Sequence, residues 1–491
     1  MSRALFPVPG GLALETHKAE SADTALAVVP PPAQLVVPLR QHIGEPAEAV
    51  VSPGDAVLAG QVIGRAGGYI SVPVHAPTSG RVAAVEDRPV PHPSGLSALG
   101  VVIDSDGEDR WCEPLAPITD WAGAEPTALR HRVRECGIVG LGGAAFPTAV
   151  KLNPGPGSRV EQLVINGVEC EPWITCDDRL MRDRAHQVVL GAAIMARAVA
   201  AGEVLIGVED SMPEAIAALE QALADTDVAA EVVPVPTRYP AGGEKQLIYA
   251  LTGREVPSNG LPLEISVVCH NVGTAAAVYR AVLEGRPLVS RIVTITGDAI
   301  ARPGNFEVRI GTPVAELVQA AGGYRAQAAR LVMGGPMMGF ALAGASVPVI
   351  RGSNCLLAGT EALFPPPAPA LPCIRCGACV EVCPASLLPQ QLYWHARAQD
   401  LDRVQDENLF DCIECGCCAL VCPSQIPLVQ YYRFAKSEVW AQERERRRAE
   451  LARERHDFRQ QRLERERREK EEQRRRKKAA LKRGADAGGQ D

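Results

Sequence analysis

The chain of 491 residues contains no run of about eighteen apolar residues, so no part of it reads as a membrane span. Its first residues, MSRALFPVPGG, lack the charged, apolar and cleavable order of an export signal. The expected place is therefore the reducing cytoplasm, at most against a membrane surface. Aromatic residues make up only 4% of the chain, while Gly and Pro are numerous at 45 and 40. That balance argues against a helical bundle and for many turns and short strands, in a chain long enough for several domains. Among the 9 His no Ser/His/Asp set stands out, which speaks against triad hydrolysis. The net charge of −7 hides a basic end beginning at Lys436. That end interleaves Glu443, Arg444, Glu445 and Arg446, the pattern of a solvated, self-paired helix rather than a nucleic-acid arm. From Glu438 to about Arg483 there is almost no apolar stripe and no sustained heptad seam, so a single extended helix or a partly disordered tail is expected ahead of a coiled coil.

The chain is rich in cysteine, with 15 in all. Cys373, Cys376, Cys379 and Cys383 precede Pro384, and Cys412, Cys415, Cys418 and Cys422 precede Pro423. Each run reads Cys-x2-Cys-x2-Cys-x3-Cys-Pro, the spacing that binds a [4Fe-4S] cluster, and in two-cluster ferredoxins the fourth Cys of each run serves the other cluster. The expected sets are Cys373, Cys376, Cys379 and Cys422 for the first cluster, and Cys383, Cys412, Cys415 and Cys418 for the second. Structural zinc favours separated Cys pairs and fits this doubled run poorly, and disulfides do not suit a large chain without an export signal. Cys417, between two ligands, reads as packing.

Along the chain, residues 1–35 look like an irregular arm ending at Pro30, Pro31 and Pro32. VVSPGDAVLAGQVIG (50–64) and VHAPTSGRVAAVED (74–87) are short Val-rich strands separated by turns, and they resemble the two halves of a biotinyl/lipoyl-type barrel sandwich. Carriers of that type have a Lys in the hairpin between the halves, whereas Arg65–Val74 contains none. A docking or scaffold module is therefore expected, without a covalent arm. Residues 125–285 read as α/β, with strands at Leu163–Asn166, Val204–Val208 and Glu231–Val235 and a helix at Pro213–Leu223. After Pro287 a β-grasp-like unit runs to about Gly339, and FPPPAPALP (364–372) is a stiff linker to the cysteines.

The stretch GIVGLGGAAFPTAVKLN (137–153) offers Gly140, Gly142 and Gly143, whose amides can cradle a phosphate, with Lys151 as a cation downstream. An ordinary tight turn would have the same spacing. INGVECEP (165–172) adds Asn166, Glu169 and Glu171 beyond a strand end, YPAGGEKQL (239–247) adds a Gly-Gly-Glu turn, and HNVGTAAAV (270–278) puts Asn271 and Thr274 at a helix start. In this order the segments resemble the NADH- and FMN-binding subunit of respiratory complex I. With the N-terminal sandwich, the doubled cysteine run and the charged tail, the chain is more similar still to the RnfC/RsxC family, the C subunits of Rnf/Rsx ion-translocating electron transport complexes. That resemblance spans nearly all of residues 1–436.

The resemblance implies FMN at Gly140, Gly142, Gly143, Lys151, Asn166, Glu169 and Asn271. It implies NAD(H) stacking over the flavin near Phe146, Glu171 and Glu244, with Glu169, Glu171 and Glu244 orienting nicotinamide and flavin. Where complex I carries Gly-Glu-Glu, this chain has Gly243, Glu244 and Lys245. The implied activity is that of an NADH:acceptor (ferredoxin:NAD+) oxidoreductase subunit of the translocase class. It would bind at the cytoplasmic face of the inner membrane through the other subunits of an Rnf/Rsx complex, among them a ferredoxin-like iron-sulfur subunit, and would bind no nucleic acid. A flavin joins NADH, which gives two electrons at once, to clusters that take one. A relay or scaffold subunit with a vestigial nucleotide site, and an assembly protein holding zinc, are the alternatives.

The expected fold class is multidomain α/β plus β. It comprises an arm (1–35), a barrel-sandwich module (36–110), a Rossmann-like FMN/NADH domain (111–286), a β-grasp SLBB-like unit (287–345), a linker (346–372), an α-helical two-cluster ferredoxin domain (373–436) and a charged helical or disordered tail (437–491).

Overall fold

The computed structural model describes residues 3–155 and 157–487, with side chains as far as 480. They form two compact bodies, one made of the chain up to Gln390 with Phe410–Leu428, the other of Gln391–Leu409 with the chain from Val429 onward.

In the first body, the α/β part is built on a four-stranded parallel sheet. Its spatial order is Glu231–Val235, Glu203–Glu209, Gln162–Gly167, Val267–Asn271. Such strands are hydrophobic on both faces because helices cover both. On one face Leu163, Ile165, Ile206 and Val268 pack against the helices Cys176–Val199 and Val272–Leu283. On the other, Val164, Leu205 and Val267 meet Leu247 and Leu251 of the helix Glu244–Thr252. Gly191 lets the first two helices touch, since a Cβ there would lie 1.9 Å from the Ala275 carbonyl oxygen. The sequence reading of this sheet holds closely: two strands are one residue longer at each end, Glu231–Val235 has the expected bounds, and the helix at Pro213 runs to Thr226.

The barrel sandwich comprises one antiparallel sheet ordered Gln34–Pro38, Ser97–Ser105, Gly80–Pro89, Ala56–Val57, and a second of Glu48–Ala49, Val62–Arg65 and Val74–His75. Its core is Val37, Leu39, Val57, Ile63, Val82, Val101 and Ile103. The Lys-free hairpin between its halves is tied down. Arg134 Nη2 donates to the Gly68 carbonyl at 2.6 Å, and Asn153 Nδ2 to the Tyr69 hydroxyl at 3.1 Å.

Two expectations need correction. Residues 346–372 are not all linker: Cys355–Gly359 is a fully buried strand inside a six-stranded mixed sheet, pairing with Ser290–Thr296 on one side and Arg330–Met333 on the other. A run of Cys355, Leu356, Leu357 and Ala358 is too apolar to leave in water. Residues 1–35, expected as an irregular arm, are tied to the first body. Ala27–Val28 adds an edge strand to that same sheet, Leu12 bridges Tyr239, and Arg3 pairs with Glu203 and Glu231. The expected 373–436 unit is also divided, because both cysteine runs lie in the first body while 391–409 and the chain from 429 lie in the second.

In the second body, Tyr393 meets Tyr431 edge to face at 4.9 Å. The helix Leu428–Ala487 continues through the charged tail, held by i,i+4 pairs such as Arg468 with Glu464 and Arg476 with Glu472. Among the described residues no helix is long and apolar enough to cross a membrane.

Candidate functional site

The carboxyl end of Gln162–Gly167 and the length of the edge strand Val267–Asn271 line a cavity of about 550 Å³ in the first body. Ligands of open parallel sheets bind at this end. Its glycine-rich wall is closed by the Gly140 N–H donating to the Phe146 carbonyl at 2.8 Å, and is fixed to the next helix by the Leu141 N–H donating to Thr274 Oγ1 at 2.9 Å. Gly142 sits so close that a Cβ would come within 3.1 Å of the Asn271 Cβ. Gly140, Gly142, Phe146, Lys151, Asn166, Glu244 and Asn271 all line the cavity.

The two asparagines shape its walls with their polar atoms already engaged. Asn166 Nδ2 donates to the Gly242 carbonyl at 2.8 Å, and its Oδ1 accepts from the Val168 N–H at 3.0 Å. Asn271 caps its helix by accepting from the Gly273 N–H at 2.8 Å, while its Nδ2 donates to Asp177 Oδ2 at 2.6 Å. Lys151 and Glu244 form an ion pair of 2.6 Å at the rim, both partly open to solvent. Sequence reasoning missed His270. It lines the cavity, is 5% exposed, and its Nε2 has no partner among the described residues. Burial, with the Lys151 charge second, holds this imidazole well below its usual range, so it is neutral.

Gly143, Glu169 and Glu171, expected at the cavity, do not line it. Gly143 lies at φ +130° with open space around it. Glu169 is buried and turned away, accepting from the Asp177 N–H at 2.9 Å and the Asp178 N–H at 3.2 Å. These amides, at the start of the helix Cys176–Val199, have no partner within the helix, and the Glu169 side chain satisfies them. Burial first, then the neighbouring Asp177 charge, raise the Glu169 carboxyl well above the usual range. Asp177, raised by burial, is the partner through which this pair meets Asn271. Glu171 Oε1 accepts from the Met337 and Met338 N–H groups at 2.7 and 3.1 Å, so it joins the α/β part to a loop of the mixed sheet.

The cysteine runs share one backbone. Arg375, Gly377 and Ser386 in the first, and Glu414, Gly416 and Gln425 at the same places in the second, all have positive φ. Each glycine starts a one-turn helix, Ala378–Glu381 or Cys417–Leu420. Left-handed residues beside helical turns point successive amides at one spot, a nest suited to an anionic cluster. One thiol of each run shows which others lie near it. Cys379 is raised by burial and then by the nearby thiols of Cys376, Cys373 and Cys422. Cys418 is raised by burial and then by Cys412, Cys415, Cys383 and, last, Cys379. Four thiolates at each of two places fit iron-sulfur cubes. Cys417 is fully buried beside Tyr239, Leu12 and Met337. The two sets differ in setting: Cys376 is exposed, whereas Cys415 and Cys418 are buried.

The comparisons with known proteins fall on these same parts. The RnfC barrel sandwich hybrid domain matches residues 6–108, the Nuo51 FMN-binding domain 133–280, the SLBB domain 292–341, and the 4Fe-4S dicluster domain 369–426. The C subunit of the ion-translocating oxidoreductase complex of Pseudomonas aeruginosa is 53% identical over 463 residues, covering 94% of this chain and 59% of that protein. The protein of the same name from Yersinia enterocolitica is 49% identical over 462 residues, covering 94% and 66%. The chain is a homologue of these C subunits.

It spans between 57% and 66% of the length of the curated relatives it matches. Among solved structures, the NAD+-reducing [NiFe]-hydrogenase in the H2-reduced state is similar with a TM-score of 0.44 at 19% identity, over 66% of this chain and 63% of that one. The RnfC-type match beginning at residue 6 takes in the N-terminal segment that straps the first body together, and the FMN-type match brackets every residue lining the cavity except Ile43. The fold class is thus multidomain α/β with a barrel sandwich, an FMN-type domain, an SLBB unit and a dicluster unit.

Proposed function

We propose that the chain is the subunit at which a membrane-bound, ion-translocating oxidoreductase exchanges hydride with NAD(H). Single electrons then pass through two [4Fe-4S] clusters to or from partner subunits, one of them a ferredoxin-like iron-sulfur protein. The observation that carries this reading is the joining of two sites in one body. A cavity with the Lys151–Glu244 ion pair at its rim and one buried, unpartnered imidazole shares the turn Tyr239–Glu244 with the second cysteine set, the Tyr239 hydroxyl donating to the Cys415 carbonyl at 2.6 Å.

The cavity residues suit FMN: glycine amides and Lys151 for the phosphate, apolar walls from Phe146, Val150 and Leu263 for the ring, and His270 Nε2 for one polar ring atom. When bound, FMN supplies the conversion between paired and single electrons that neither NADH nor an iron-sulfur cube performs alone. Glu244 stands at the rim, able to release Lys151 to an arriving phosphate and to accept from a nicotinamide amide itself. Asn166 and Asn271 hold the walls, so their part is to fix the cavity's shape. By burial, the set of Cys383, Cys412, Cys415 and Cys418 is assigned to the cavity side of the relay, and the set with exposed Cys376 to the partner side. Attachment at the cytoplasmic face of the inner membrane, through partner subunits, completes the reading.

A second reading, a relay subunit whose nucleotide site is vestigial, draws support from the satisfied amides of both asparagines. Anaerobic reconstitution with iron, sulfide and FMN separates them. The proposed function requires about eight irons from two cubes, bound flavin, and bleaching of both chromophores by NADH. Iron without flavin or NADH response would establish the relay, and a colourless preparation would indicate zinc.

A further inference from the structure

The second cysteine set comes from two short stretches, one at Cys383 and one at Cys412–Cys418, and one turn of the flavin domain holds both. Tyr239, 2% exposed, donates to the Cys415 carbonyl at 2.6 Å. Lys245 Nζ donates to Asp411 Oδ1 at 3.0 Å, one residue before Cys412. Gln246 Nε2 donates to the Pro384 carbonyl at 3.3 Å, one residue after Cys383. Within the same turn, Gly242 and Glu244 face the cavity. The other set is braced differently, by the Leu371 N–H on the Ser424 carbonyl at 2.8 Å and Ser424 Oγ on the Pro372 carbonyl at 2.9 Å.

Asp411 is the charged member of this junction. Besides Lys245 it accepts from the Ser258 hydroxyl and, at 3.3 Å, from the Asn259 N–H. A cluster gains one negative charge when it takes one electron, so a carboxylate beside its ligand loop opposes reduction and an ammonium paired with that carboxylate relieves the opposition. Lys245 is also the position where the turn departs from the Gly-Glu-Glu pattern, a feature the flavin cavity leaves unexplained because Lys245 does not line it.

We infer that the turn Tyr239–Gln246 positions the ligand loops of the second cluster, and that Lys245, acting through Asp411, is a positioning residue that raises the reduction potential of that cluster alone. The inference rests on the eight cysteines holding two clusters, and on nothing about the cavity's ligand.

The test uses the full chain, reconstituted anaerobically with iron and sulfide but without flavin or NADH. Dithionite with mediators supplies one electron per cluster, and electron paramagnetic resonance follows the two reduced signals. Cys412→Ser, which removes a ligand, identifies the second cluster's signal. Lys245→Gln is expected to lower the reduced-to-oxidised ratio of the second cluster about tenfold at the parent's midpoint poise, roughly 59 mV for a one-electron couple, with the first cluster unmoved. Lys245→Arg is expected to restore the parent value. Should Lys245→Gln fail to load, Asp411→Asn decides, since it is expected to move the same cluster in the opposite sense. Unchanged potentials, equal movement of both clusters, or no rescue by Arg would overturn the inference. Because no flavin is added, such a failure leaves the cavity reading untouched, and a cavity that refuses FMN leaves this one standing.

Discussion

Replacing Lys18 by Met tests whether the N-terminal segment is a structural strap. Lys18 Nζ donates to Glu209 Oε2 at 3.1 Å and to the Glu169 carbonyl, and the Glu209 side chain is 1% exposed. Removing the cation leaves a carboxylate buried without its partner, a loss of about 3–5 kcal/mol. For a unit of about 400 residues, with an unfolding entropy of about 2.1 cal/mol/K per residue, that lowers the melting transition by roughly 4–6 °C. The assay is thermal unfolding of the full chain, following the transition that carries emission from Trp173. That indole stacks on His17 at 4.6 Å, beside the mutated residue. Adding Glu209→Leu removes the stranded charge, so the double variant is expected to regain most of the loss. The pH dependence follows from the direction of the shift. Burial opposes the Lys18 charge, but Glu209 and Glu169 more than offset it and raise the group above its ordinary 10.5. A raised lysine contributes stability fully below the unfolded value and loses it only as pH climbs through the folded one. The part of the Lys18→Met deficit that comes from the titration of Lys18 itself is therefore fully present below the unfolded value and shrinks only in stronger alkali. A deficit below about 1 kcal/mol, or a double variant no better than the single, would refute the strap.

Other expectations follow from the site. Lys151→Ala removes the rim cation and weakens FMN binding about tenfold or more, the worth of one charge-assisted hydrogen bond, as read by quenching of flavin fluorescence. Cys418→Ser lowers iron by about half, from roughly eight atoms, whereas Cys417→Ser keeps the parent iron content, because Cys417 is buried beside Tyr239 and Leu12; iron analysis decides. A peptide spanning residues 444–480 loses helicity by circular dichroism as salt is added, since its i,i+4 ion pairs contribute only about 0.2–0.5 kcal/mol each and are screened.

The cysteine runs and the parallel sheet were legible because their signals are local: ligand spacing in one case, short buried apolar runs between turns in the other. What stayed hidden depends on where a side chain turns after its strand ends. Asn166 lies near the end of one strand and Glu169 and Glu171 just beyond it, yet only Asn166 lines the cavity. Glu169 is drawn to the free amides of Asp177 and Asp178, which become its neighbours only once the next helix folds back. His270 escaped for the opposite reason. A lone histidine in a Val-Val-Cys strand looks like core, and its unpartnered Nε2 exists only in three dimensions. The strand Cys355–Gly359 was masked by the Pro-rich stretch that follows it, and the strap by Pro30, Pro31 and Pro32.

These hidden contacts have a common logic. The loops at the cavity are rich in glycine, which costs more backbone entropy to order than any other residue. Each is fixed from outside the α/β sheet. Arg291, from a strand of the mixed sheet, donates to the Leu141 carbonyl at 3.3 Å in the glycine-rich wall. The hydroxyl of Tyr69, in the barrel-sandwich hairpin, accepts from Asn153. The Met337 and Met338 amides hold Glu171, and Lys18 holds the Glu169 carbonyl. A sheet can be built by local pattern alone, but a loop that must approach a ligand closely cannot also carry the bulky apolar side chains that would anchor it. The anchors have to come from neighbouring units. That is why the barrel sandwich needs no swinging lysine to matter here: the hairpin where a carrier would bear one is spent on holding the cavity wall.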